Sequence, residues 1–168
     1  MIPAMSRLIL VCGPTGAGKT TYAITLSAEI GAVRFSIDPW MVTLFSKDMT
    51  TLDYSWMIER VQRCYEQIWD VAGQILAIGG NVVLDLGFTE KTQRALFVDW
   101  ASELDAISEV HFLDAPKEVR QQRVEQRNRD KDPSVYAFDV TDMMFNFMES
   151  RFEAPDEKEL RNGCSVET

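Results

Sequence analysis

Short apolar runs alternate along this chain with longer stretches whose apolar residues recur every three or four positions. Leu8-Ile9-Leu10-Val11-Cys12 is continuous apolar sequence of strand length, as a strand covered on both faces requires. A helical pattern follows over about Thr20–Ile30 and stops at Gly31. Val33–Ile37 predicts a second strand. Behind it Asp38-Pro39 predicts a helix start, with Asp38 as N-cap and Pro39 in the first turn. Ser46–Thr51 is polar and reads as loop. From about Asp53 to Ile78 the spacing of Val61, Tyr65, Ile68, Ala72 and Leu76 predicts one long core-facing helix. Gly79-Gly80 ends it.

Asn81–Leu84 is the third strand run, closing on Asp85, and Glu90–Leu104 the next helix. Ile107–Leu113 is a fourth strand, after which Asp114-Ala115-Pro116 opens a charged helix to about Arg129, with Asp114 placed to cap it. The polar stretch Asp130–Asp139 reads as loop, and Thr141 caps a final helix to about Phe152. The tail from Pro155 is acidic, with Cys164–Val166 as a short fifth strand run. Strands alternating with helices imply βαβ units and a mainly parallel sheet covered on both faces.

Between the first strand and the first helix lies Gly13-Pro14-Thr15-Gly16-Ala17-Gly18-Lys19-Thr20, a complete G-x-x-x-x-G-K-[ST] loop. Glycines let such a backbone wrap around an anion with its N–H groups inward, and the following helix adds its positive dipole end. Lys19 reaches toward β- and γ-phosphates, the Thr20 hydroxyl toward Mg²⁺, and Thr21 lies at the helix start beside them. A glycine-rich turn that merely joins strand to helix would not need all eight positions. The loop points to a nucleoside triphosphate.

At 168 residues the chain predicts a single domain. Its net charge of −9 disfavours a broad nucleic-acid or anionic-membrane footprint. Cys12, Cys64 and Cys164 lack paired or metal-ligand spacing, and with one histidine a zinc site is not expected. They read as reduced thiols of a cytoplasmic protein. No apolar stretch reaches the roughly 18 residues of a membrane span, and no cleavable signal is expected.

Three constellations remain. Val82-Val83-Leu84-Asp85 resembles a Walker B strand, whose carboxylate helps hold Mg²⁺; Asp114, after the next strand, is explained by capping. Asp38 ends the second strand run on the same edge as the phosphate loop. There it can accept the proton of an acceptor hydroxyl, or simply cap its helix, with Trp40 either walling the acceptor pocket or packing in the core. Arg120, Arg123 and Arg127 share one helical face in an otherwise acidic protein. That face is either solvated or part of a lid over about 116–140, with Arg123 and Arg127 as phosphate ligands. His111, inside a strand run, reads as a hydrogen-bonded core histidine.

In this order, the loop, the strand-end aspartate of FSIDPWM, VVLDLGF, LDAP and R-x-x-R-x-x-x-R resemble the small P-loop kinases over roughly Leu8 to Phe152. The likeness is to their AAA-domain group, whose cousins are chloramphenicol phosphotransferase, zeta toxin and the kinase domain of polynucleotide kinase. It implies a P-loop NTPase three-layer α/β sandwich with a five-stranded sheet of order 2-3-1-4-5. It also implies Mg²⁺- and ATP-dependent transfer to a hydroxyl. By matching position Asp38 would be the base, Lys19 and Thr20 the phosphate and Mg²⁺ ligands, and Arg120 to Arg127 the lid, adding Arg120 to the nucleotide ligands. No helical second domain of the AAA+ motor type is expected within these 168 residues, and they contain no N-K-x-D guanine motif. Two functions therefore stand: an ATP-dependent kinase of a small hydroxyl compound, or a nucleotide-binding regulator with slow turnover. A nucleic-acid 5′-hydroxyl kinase is a variant of the first, disfavoured by the acidic balance.

Overall fold

A computed structural model describes residues 5–48, 54–132 and 138–168. Five strands, β1 (Arg7–Cys12), β2 (Ala32–Ser36), β3 (Asn81–Asp85), β4 (Ile107–Asp114) and β5 (Cys164–Glu167), form one sheet in the order β2-β3-β1-β4-β5. All four pairings are parallel. This is the expected fold class and order. The helices are α1 (Lys19–Ile30), α2 (Ile37–Phe45), α3 (Tyr54–Ala77), α4 (Lys91–Glu103), α5 (Lys117–Asp130) and α6 (Asp142–Arg151).

Alternation along the buried strands divides the core in two. Leu8, Leu10 and Cys12 of β1, with Val82 and Leu84 of β3, face α3 and α4 through Ile68, Ala72, Phe97 and Trp100. Ile9, Val11 and Val83 point the other way, onto Ala23 of α1 and Leu113. Both faces are dry, which is why β1 and β3 read as unbroken apolar runs. An aromatic cluster stiffens the first layer, with Trp69 4.5 Å from Trp100 and Phe88 5.1 Å from Phe97 between ring centroids.

The acidic tail is part of the fold. Arg94 is fully buried, and its Nε donates to Glu159 Oε1 at 2.7 Å while Nη1 donates to Phe88 O at 3.1 Å. Removing Glu159 would strand a buried cation, at a cost of about 3–5 kcal/mol. β5 then adds to β4 with Cys164 beside His111. A Cβ on Gly163 would lie 1.9 Å from Val110 O, so only glycine admits this approach.

Two expected caps are corrected. α2 begins one residue earlier than Asp38, with Ser36 at the N-cap position and Asp38 inside the first turn. Asp114 is the last residue of β4; its Oδ1 accepts from the next amide, Ala115 N, at 2.9 Å, and α5 starts after Pro116. Proline's fixed φ and missing N–H suit it to a helix entrance, so no aspartate is needed there. Thr141 does cap α6, accepting from Met144 N at 3.3 Å. Of the loop expected over Ser46–Thr51, Ser46–Asp48 form a short 3₁₀ helix; its remainder at 49–51, the helix start at Asp53 and the part of the later loop at 133–137 lie outside the described residues.

Candidate functional site

Parallel strands bring all their carboxyl ends to one edge, and the connections after neighbouring β1 and β3 leave in opposite directions. A crevice opens at such a point. The loop 13–18 leaves β1 there and enters α1 at Lys19. A Cβ on Gly16, at φ +82°, would lie 2.6 Å from Arg120 O; one on Gly13 would lie 2.3 Å from Leu113 O. Glycine is thus required for backbone shape at Gly16 and for close packing at both. Gly18 occupies the N-cap of α1, where no side chain caps the helix and no acidic residue sits in the first turn. Those amides retain their positive field.

Lys19 folds over this loop, its Nζ donating to Gly13 O at 2.8 Å and Pro14 O at 3.0 Å. Burial lowers its pKa; Asp85, Asp38 and the Cys12 sulfur oppose that shift, and Arg127 adds to it. The same charges act on Asp38. Desolvation raises its carboxyl pKa, Asp85 raises it further, and Lys19 and Arg127 pull it down. Asp38 stays exposed on its solvent side, which limits that desolvation. Lys19, Asp38, Asp85 and Arg127 therefore form one electrostatic group drawn from the phosphate loop, α2, β3 and α5. Thr20 and Thr21 continue the loop into the first turn of α1.

Asp85 is 6% exposed, and its Oδ2 accepts from Arg34 Nη1 at 3.1 Å and Ser36 Oγ at 3.2 Å. Both donors come from β2, whose register sets Ser36 beside Asp85. Sequence reading missed this pair, although a charged residue inside the short run Val33–Ile37 was the available signal. It also placed Tyr65 only in the core stripe. The Tyr65 hydroxyl donates to Leu86 O at 2.9 Å and accepts from Gln93 Nε2 at 3.2 Å. Burial pushes its pKa up to about 12, with Asp38 adding to the shift. Trp40 is half-buried and meets Phe35 edge-on at 6.1 Å, so it packs on the core.

The three arginines of α5 diverge. Arg120 is 4% exposed and wholly engaged by protein: its Nε donates to Ala115 O at 2.9 Å, Nη1 to Thr15 O at 3.2 Å, and both Nη atoms to Glu149 of α6 at 2.7 Å. It braces the phosphate loop from outside, over the Phe145 ring. Arg123 is exposed and donates to Thr168 Oγ1 at 2.9 Å, and that hydroxyl donates to Ala17 O at 3.1 Å. Arg127 acts on Lys19 and Asp38, and its Nε is buried without a hydrogen-bond partner. A cavity of about 270 Å³ between α5 and α6 is lined by Val124, Asn128, Thr141 and Phe145, with nothing from the phosphate loop. His111 is a satisfied core residue, bonded to Tyr22 OH at 2.8 Å and Glu109 Oε2 at 3.1 Å. Cys12, Cys64 and Cys164 form no disulfide, and burial pushes the Cys12 thiol up to about 12.

These residues fit a Mg²⁺-bound nucleotide. The uncapped amides at the start of α1 and the Lys19 ammonium offer positive charge to phosphates, and Arg127, which acts on Lys19 and Asp38, keeps a buried Nε without a partner. No group of three or more His, Cys, Asp or Glu able to hold a metal occurs among the described residues. Mg²⁺ needs no such cage, since one or two protein oxygens plus phosphates and water suffice. Among the described residues no helix is long and apolar enough to cross a membrane.

Fold and loop together define a small P-loop kinase fold. A model of the AAA domain family matches residues 8–155, and the chain belongs to that family. Kti12 of Chaetomium thermophilum, solved with ADP-AlF3, superposes with a TM-score of 0.72 at 17% identity over 95% of this chain and 88% of that one. A gluconokinase from Sinorhizobium meliloti 1021 gives 0.62 at 16% over 97% and 83%. The Mycobacterium tuberculosis APS kinase CysC, in complex with AMPPNP and APS, gives 0.62 at 15% over 97% and 90%. At these identities the likeness is one of fold. No protein of curated function matches the sequence.

Proposed function

We propose that this protein is an ATP-dependent phosphotransferase acting on a hydroxyl of a small molecule. The observation that carries the reading is the convergence of Lys19, Asp38, Asp85 and Arg127 at the carboxyl edge. A regulator that only grips nucleotide has no need of a second carboxylate, poised beside the first, on the acceptor side. Residues Gly13 to Thr21 hold the phosphates through backbone amides and Lys19. The Thr20 hydroxyl and Asp85 would hold Mg²⁺, with Arg34 and Ser36 fixing the Asp85 carboxylate by its Oδ2. Mg²⁺, when bound, would offset the charge of the phosphates.

Asp38 takes the acceptor's proton as its oxygen bonds to the γ-phosphorus and the bond to the β-phosphate oxygen breaks, releasing ADP. Arg127 stabilises charge on the transferring group, and α5 with the segment to about 140 acts as the lid. Arg123 lies on the flank of the loop and joins in only if the lid turns it inward. Arg120 reaches a phosphate only by leaving Glu149, and serves the site by holding Thr15. Free thiols suit a cytoplasmic setting.

The test is incubation with labelled ATP-Mg²⁺ and a panel of hydroxyl compounds, with Lys19→Ala as control. A phosphorylated product absent in the variant is expected. Tight ATP binding with no product from any compound would favour the regulator instead. Transfer only to nucleic-acid 5′-ends would favour the polynucleotide variant.

A further inference from the structure

Asp85 is matched by a protein cation before any metal reaches it. Its side chain is 5% exposed, and Arg34 Nη1 pairs with its Oδ2 at 3.1 Å. Ser36 Oγ donates to the same oxygen at 3.2 Å. Both donors come from β2, where residues two apart share a face and the register sets Ser36 beside Asp85. Among the described residues both hydrogen bonds to this carboxylate go to Oδ2, and Oδ1 is left for another ligand.

Both donors forgo other partners. Ser36 stands at the N-cap position of α2 yet makes no side-chain cap bond, since its hydroxyl is turned to Asp85. A serine there ordinarily accepts from an amide of the first turn. Arg34 has Asp85 as its one ion pair among the described residues. Asp85 also acts on Lys19, but the Lys19 Nζ bonds to the Gly13 and Pro14 carbonyls. The cation in contact with Asp85 is therefore Arg34.

A divalent ion arriving at Asp85 meets a carboxylate already neutralised, beside a guanidinium that either repels it or has to let go. Two unit charges about 4 Å apart interact by several times thermal energy at an effective dielectric near 20, and a doubly charged ion by more. Water at the part-exposed Arg34 screens much of this, but a third of it is still about a tenfold change in affinity. Phosphates reverse the balance, because they bring several negative charges and metal-ligating oxygens to the same edge.

We propose that Arg34 is a positioning residue: it takes the place of a cation at Asp85 until nucleotide binds, and so keeps the site from taking a divalent metal without phosphates. This rests on the reading of Asp85 as a carboxylate of the Mg²⁺-nucleotide site. If the pair only stabilised the fold, with the metal held elsewhere, removing Arg34 would lower the melting temperature and leave metal affinity where it was.

The experiment follows Mn²⁺, an EPR-visible stand-in for Mg²⁺, as it binds the nucleotide-free protein. Arg34→Met and Arg34→Gln should each bind Mn²⁺ at least about tenfold more tightly than wild type. Arg34→Lys, which keeps the charge, should stay near wild type, and adding Asp85→Asn to Arg34→Met should abolish the gain. A thermal melt confirms that each variant folds. No gain in the folded neutral variants, or a gain that survives Asp85→Asn, overturns the proposal. Failure of both neutral variants to fold also overturns it, by making Arg34 a requirement of the core. Mn²⁺ binding with ADP present separates the readings. If Asp85→Asn leaves that binding unchanged, the placing of Asp85 at the metal falls. If Asp85→Asn weakens it while Arg34→Met brings no gain, only the role of Arg34 falls and the phosphotransferase stands.

Discussion

Glu149→Ala is the sharpest test of how the phosphate loop is held. The Arg120 side chain is 5% exposed and that of Glu149 28%, so the two partners do not suffer equally when the pair is broken. Removing Glu149 takes away two 2.7 Å charge-assisted bonds and leaves a guanidinium buried with only the Ala115 and Thr15 carbonyls as acceptors. Stranding a buried charge costs about 3–5 kcal/mol. Taking the low end, because water can enter through the space Glu149 vacates, gives about 3 kcal/mol. In a domain of this size that corresponds to a Tm lower by roughly 6–12 °C.

Adding Arg120→Met should restore much of the loss, since an apolar pair often replaces a buried ion pair without cost. The pair also has a pH signature. Arg120's hydrogen bonds hold the Glu149 pKa below its ordinary 4.5. A depressed carboxylate contributes stability above its unfolded pKa and loses it as pH falls through the folded value. The gap between wild type and Glu149→Gln should therefore be full at pH 7 and close below about pH 4.5. Thermal melts across pH, paired with ADP-Mg²⁺ titration calorimetry, read both quantities. A Tm change under about 2 °C together with tighter nucleotide binding would refute the argument, because it would mean that Glu149 was merely holding a phosphate ligand away from its phosphate.

Three further outcomes are expected. Lys19→Ala should abolish calorimetric ATP binding while leaving the melt in place, since its Nζ bonds only to loop carbonyls; unchanged affinity would remove the loop from the site. Asp38→Asn should slow transfer by about 10²-fold or more in single-turnover kinetics with ATP affinity little changed. Because the base must be ionised and its pKa is raised from 3.8, the wild-type rate should climb with pH along an acid limb above that value, and the variant should lack the limb. Arg127→Ala should lower the single-turnover rate by about 10³-fold, well beyond Arg123→Ala, because only Arg127 acts on Lys19 and Asp38. Equal rates in both variants and wild type would return the α5 arginines to the role of a solvated face.

Much of the fold was legible because its determinants are local. A phosphate loop is eight consecutive residues whose glycines are needed for backbone shape, and strand and helix periods differ enough to separate β1, β3, α3 and α4 by eye. Alternating strands and helices imply a mainly parallel sheet, which puts Lys19, Asp38 and Asp85 at its carboxyl edge, while the strand order 2-3-1-4-5 came only from the resemblance to the small P-loop kinases. The caps were less legible: Ser36 and Pro116 open helices where Asp38 and Asp114 were expected to, because several residue types can start a helix.

Tertiary structure alone settled the partners of charges distant in sequence. Spacing put Arg120, Arg123 and Arg127 on one helical face, but it could not say that Glu149, 29 residues later, would claim Arg120, or that Arg127 would keep a buried nitrogen unpaired. Nor could it pair Arg34 with Asp85 across 51 residues, or Arg94 with Glu159 across 65. Backbone conformation and amphipathic period are set within a few residues of each position, so the sequence determined them by itself. The role of a charged side chain depends on which opposite charge folding brings within 3 Å and on how much water remains between them, and that only the packed chain decides.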